Sequence, residues 1–165
     1  MDNDKVKLRR YEDDLNVGGV GVVILGAWDV LKVIMHMIIE AKNDINLDEF
    51  ANEDKTLAVV MIAAIIAVLL LFVLLIFKLR WYIGINASKA AKGEAYKKGY
   101  YTGAVILLVL SVLGMFTYID ELKDLANIET TIASFIVDLT SVYILWAVVS
   151  STRKIRELKL LHTQE

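Results

Sequence analysis

Asp29, Lys32, His36 and Glu40 stand within one apolar stretch, GAWDVLKVIMHMIIE, residues 26–40 of a 165-residue chain. On an ideal helix each residue advances about 100°, so with Asp29 at zero Lys32 falls at about −60°, His36 at about −20° and Glu40 at about +20°. The four share one narrow stripe. A carboxylate beside an ammonium group, followed by an imidazole that titrates near neutral pH, is a set that could take up protons or attract a cation. The same residue types also make an interhelical salt bridge that sets how helices register. Asp138 supplies a second carboxylate, on a face shared with Thr131, Ser134 and Ser141.

These charges have to be carried by elements that are otherwise strongly apolar. Hydrophobic residues make up 57% of the sequence and the mean hydropathy is +0.55, above the roughly 45–50% of soluble domains. The run LAVVMIAAIIAVLLLFVLLIF, residues 57–77, has no polar side chain, and its length matches the ~20 residues needed to cross a bilayer core. Residues 17–39, 100–119 and 132–151 satisfy the same length rule with more polar content. Their number and order predict an all-α integral membrane protein, a single domain whose four transmembrane helices form an antiparallel up-down-up-down bundle.

The connections carry the orientation. Lys5, Lys7, Arg9 and Arg10 precede the first span, Lys78, Arg80, Lys89, Lys92, Lys97 and Lys98 lie in 78–99, and Arg153, Lys154, Arg156 and Lys159 follow the last span. These are most of the 18 Lys and Arg, whereas the connections 40–56 and 120–131 are rich in Asp and Glu. Cytoplasmic segments carry the basic excess, so both termini are expected in the cytoplasm, with the protein in the plasma (inner) membrane. The first span is too long and too charged for a cleaved signal peptide.

The polar faces predict which helices meet. A charge at the centre of a bilayer costs at least ~2.5–3.5 kcal/mol, so the Asp29 stripe has to face the bundle interior or water. The third span presents Gly103, Ser111, Gly114, Tyr118 and Glu121, and the fourth Thr131, Ser134, Asp138 and Ser141. The second has alanines such as Ala63 and Ala67 but no polar face, and is expected to see the most lipid. At ~1.5 Å rise per residue, Lys32 and Asp138 reach nearly the same depth, ~5–6 Å outward of their span midpoints. Lys32 therefore has two candidate partners, Asp29 and Asp138. Gly18, Gly19, Gly21 and Gly26 lie on the cytoplasmic side of Asp29, where small residues allow close packing. Together these features predict a polar crevice, lined by Ser111, Tyr118, Ser134 and Ser141, closed toward the cytoplasm and open toward the outside.

Other motifs fail on their chemistry. DINLDE, residues 44–49, starts like a calcium loop but has Glu49 where glycine is needed and Lys55 where a bidentate glutamate is needed. There is no cysteine, and the two histidines, His36 and His162, fall on opposite sides of the membrane, so no metal centre or cofactor is expected. No Gly-x-Ser-x-Gly occurs, and Gly18–Gly21 lacks the Lys-Ser/Thr of a phosphate loop. The Asn86-Ala87-Ser88 sequon falls in a segment expected to be cytoplasmic. Trp81 and Tyr82 suit the headgroup belt, and the lysines around them suit anionic lipid. The helix count and the first-helix carboxylate are similar to those of small multidrug exporters, from which the chain differs in length and in lacking their other signatures.

The sequence thus favours a non-enzymatic accessory or interaction protein of subunit, sensor or immunity type. In that reading the ion cluster Asp29, Lys32, His36 and Asp138 sets helix packing. The alternative is a small proton- or cation-linked transporter or channel acting as a homo-oligomer through the crevice. Expected partners are the lipid bilayer, anionic lipid at the basic inner segment, and a second copy or another membrane protein. A net charge of −2 gives no reason to expect nucleic acid.

Overall fold

The structure is a computed structural model that describes residues 2–44, 55–121 and 128–161. Every regular element among them is helical: α1 (Asp2–Asp44), α2 (Lys55–Ala91), α3 (Gly99–Gly114), a 3₁₀ turn (Met115–Thr117), α4 (Tyr118–Glu121) and α5 (Ile128–Leu161). Four helices are long and apolar enough to cross a membrane, over Asp4–Met35, Val59–Ala91, Gly99–Thr117 and Thr131–Leu160. Residues 45–54 and 122–127 of the acidic connections, with DINLDE beyond Asp44, and His162 lie outside the described residues.

Helix runs well past the expected spans. With no proline to interrupt them, α1 includes the basic segment before residue 17 and α5 extends to Leu161. The segment 78–99 is helical as far as Ala91, and its chain reversal is confined to 92–98. Gly93 at φ +72° makes that reversal, a conformation L side chains rarely adopt. Asn86 secures it, donating through Nδ2 to the Tyr82 carbonyl (2.7 Å) and accepting through Oδ1 from the Lys97 amide (2.9 Å). The sequon asparagine thus serves as a structural tie.

The core is built from seams of small and apolar residues at helical spacing. Leu15, Gly18, Gly19, Val22 and Gly26 are buried on α1, and Arg80, Ile83, Gly84, Ala87 and Ala90 on α2. Tyr100, Ala104 and Leu107 are buried on α3, and Ser141, Leu145, Val148, Thr152 and Ile155 on α5. Glycine lets α1 approach its neighbours closely. A Cβ on Gly19 would sit 2.7 Å from the Gly84 carbonyl oxygen, and one on Gly18 2.9 Å from Val148 Cγ2.

Contacts fix the register. Asn16 accepts from Ser88 at 2.5 Å, Gly19 meets Gly84 and Gly26 meets Arg80, so α1 numbers rise as α2 numbers fall. The same opposition joins α1 to α5, through Glu12–Lys159 at 3.6 Å and Lys32–Asp138 at 3.4 Å. Equal depth for the apolar runs would have put residue 67 opposite residue 28. Instead Arg80 stands opposite Gly26 and Asp29, a displacement of ~20 Å along α2. The run 57–77 therefore lies beyond the tightly packed half of the bundle. None of the described residues from 57 to 79 is buried. The most apolar window of α2 is 0% buried, against 17–22% in the other three helices. The half of α2 expected to see the most lipid, residues 57–79, is the exposed half, while the half from Arg80 to Ala91 packs closely against α1.

Candidate functional site

The ion cluster forms where the small-residue seams end. Lys32 reaches across from α1 to α5, its Nζ 3.4 Å from Asp138 Oδ2. It also donates to the Tyr118 hydroxyl at 3.0 Å, and Tyr118 in turn donates to Asp138 Oδ2. Tyr118 is buried, its ring edge-on to Phe135 with centroids 5.5 Å apart. It is delivered by the 3₁₀ turn that ends α3, where Thr117 Oγ1 donates to the Gly114 carbonyl at 2.7 Å. Of the two partners open to Lys32, the structure places it with Asp138.

Asp29 has a different partner. Arg80, only 6% exposed, brings Nη2 within 2.8 Å of Asp29 Oδ2 and donates through Nη1 to Ser141 Oγ at 2.8 Å. Among the described residues its Nε has no hydrogen-bond partner. One guanidinium thus ties α2 to α1 and to α5, using the planar fork that a lysine lacks.

The sequence reading counted Arg80 with the basic cytoplasmic segment and gave the second span no polar face. The first point is corrected: Arg80 belongs to the buried seam 80, 83, 84, 87, 90 on α2, beyond residues 57–77, which themselves carry no polar side chain. That i, i+3, i+4, i+7 spacing continues past the end of the apolar run, and it was the available signal.

The remaining expected residues fall as follows. Ser141 is buried within the cluster as the Arg80 acceptor. Ser111 and Ser134 are half-buried and are not partners in these bonds. His36 lies on α1, but its side chain is outside the described residues. Trp81 is 48% exposed and packs on Phe77 with centroids 5.8 Å apart. Tyr82 is half-buried, with its hydroxyl beside Gly99.

Formal charges balance: Asp29 and Asp138 offset Lys32 and Arg80. In a low-dielectric setting such alternating pairs hold strongly only while every partner is present. Burial is uneven, however. The side chain of Arg80 is 8% exposed, those of Lys32, Asp138 and Asp29 39%, 31% and 28%. Arg80, within the small-residue seams, is thus the buried member of the cluster, and the other three are partly exposed. Among the described residues no group of three or more His, Cys, Asp or Glu is placed to hold a metal ion. No family model matches the chain, and neither a curated protein nor a solved structure matches it.

Proposed function

We propose that the chain is a multipass plasma-membrane protein of up-down-up-down topology with cytoplasmic termini. It works without catalysis, as an accessory or interaction subunit of sensor or immunity type, and its ion network sets how the helices register. One observation carries this reading: Asp29 and Lys32 on α1 each have an opposite-charge partner on a different helix, Arg80 on α2 and Asp138 on α5. Paired charges of this kind specify an arrangement more than they add stability.

The test is a mutational cycle on purified protein. Arg80→Met leaves Asp29 unpaired and should lower unfolding free energy by about 3–5 kcal/mol. Arg80→Met with Asp29→Leu should recover most of that loss. A double variant no more stable than the single would refute a structural role for the pair.

The residual exposure of Lys32 and Asp138 supports a second reading, a proton- or cation-linked transporter or channel acting as a homo-oligomer. In sealed vesicles that reading requires a flux that Asp29→Asn with Asp138→Asn abolishes. Absence of flux in the parent protein excludes it.

A further inference from the structure

Outside the ion cluster, two cavities open at the basic end of the bundle, one between α1 and the end of α2 and the other between α1 and α5. One, of about 290 Å³, is lined by Arg9, Glu12, Asp13, Asn16, Ala91 and Lys92. Its two cations face two carboxylates and the Asn16 amide. The other, of about 400 Å³, is lined by Lys7, Arg10, Tyr11, Asp14 and Lys154. Here three cations face one carboxylate.

We propose that this second cavity binds the phosphate of an anionic phospholipid headgroup from the cytoplasmic leaflet. Charge is the first argument. Lys7, Arg10, Tyr11 and Asp14 follow i, i+3, i+4, i+7 spacing and so project from one face of α1. Lys154 joins them from α5, its Nζ 4.8 Å from the Tyr11 ring centroid, a contact that orients the ammonium without neutralising it. Lys7 also lies 3.8 Å from Asp4, but that pair is 52% and 43% exposed, and an exposed pair of this kind is weak enough for phosphate to replace it.

Depth is the second argument. Asn16 meets Ser88 and Tyr100 meets Thr152 where the apolar segments of α1, α3 and α5 end. Asp14 and Lys154 are two residues beyond that level, and Lys7 is ~15 Å beyond Val17 along the helix. The cavity therefore starts in the layer of ~5–7 Å that headgroups occupy on each side of the hydrocarbon. A headgroup phosphate reaches its Asp14 and Lys154 end without leaving its leaflet, while Arg10 and Lys7 extend past that layer on the aqueous side. This assignment rests on the membrane placement proposed above but not on the role of the ion network.

Native mass spectrometry of the full chain in detergent, offered equal amounts of phosphatidylglycerol and phosphatidylcholine, tests it. The parent protein should retain phosphatidylglycerol preferentially. Lys7→Gln with Lys154→Gln should lower that preference roughly thirtyfold, the factor two basic residues give at ~1 kcal/mol each. Arg9→Gln with Lys92→Gln removes the same charge from the other cavity and should change it much less. Equal losses in the two double variants would show a diffuse surface charge and overturn the site. Displacement of the lipid by an equal concentration of free glycerol phosphate would overturn the lipid assignment in favour of a soluble phosphate. Unchanged thermal unfolding of the Lys7/Lys154 variant separates loss of the site from loss of fold. The Arg80 cycle reads the ion network independently.

Discussion

Arg80 reaches Asp29 and Ser141 by laying its aliphatic stem against Gly26, where a Cβ would stand 3.0 Å from Arg80 Cδ and 3.1 Å from Arg80 Cβ. The glycine and the arginine are therefore one device: the missing methyl makes room for a stem that delivers a charge. Gly84 is tighter still, since a Cβ there would run into the Gly19 carbonyl oxygen and into Val23 Cγ2 at 2.5 Å. Backbone cannot yield as a side-chain tip does, so Gly84→Ala should cost about 1–3 kcal/mol of stability. Gly114 has nothing within 4 Å of a built Cβ, and Gly114→Ala should be neutral or stabilising by up to ~1 kcal/mol. Chemical unfolding of the two variants in one detergent compares them. Equal effects would mean that the close approach of α1 and α2 does not contribute as described.

Among the elements, α2 is the one whose sequence and packing diverge. Its candidate span of 33 residues is ~50 Å long at 1.5 Å per residue, whereas the hydrocarbon core is ~30 Å thick. Upright, it would leave ~20 Å of apolar helix in water, at roughly 1.5–3 kcal/mol for each large side chain. Inclination costs only fractions of a kcal/mol per Å of mismatch, so it wins. We expect α2 to be tilted more than the ~20° average of spanning helices. Single cysteines at Val59, Ile66 and Leu74 should all resist a membrane-impermeant maleimide in reconstituted protein. Ready labelling at Val59 would indicate an upright helix instead. Divergence of α2 beyond Arg80 also accounts for burial concentrating in one half of the bundle, and for Lys32 and Asp138 remaining partly exposed.

For the whole molecule, the basic residues gather at one end. Arg153, Lys154 and Arg156 on α5 and Lys89, Lys92, Lys97 and Lys98 around the 92–98 reversal are all exposed near the ends of the apolar segments. Arg156 lies over the Tyr101 ring at 4.7 Å. A C-terminal fluorescent fusion should therefore glow in the cytoplasm and a periplasmic phosphatase fusion at the same point should stay inactive. The reverse pattern would invert the proposed topology. Hydropathy and helical periodicity were enough to determine four long apolar helices, an Asp29–Lys32 stripe on α1, and the matched depth of Lys32 and Asp138. Each depends on spacing along one helix at a fixed rise and turn, and spacing is written in the chain. Which helix meets which, and at what level, depends on the fit of side chains between helices. Gly19 against Gly84 slides α2 by ~20 Å relative to the alignment its apolar run suggests. That slide carries Arg80 from an apparent surface position to the partner of Asp29. Only the tertiary structure decided it, because close backbone contact at small residues together with the Arg80–Asp29 pairing outweighed alignment of the apolar segments.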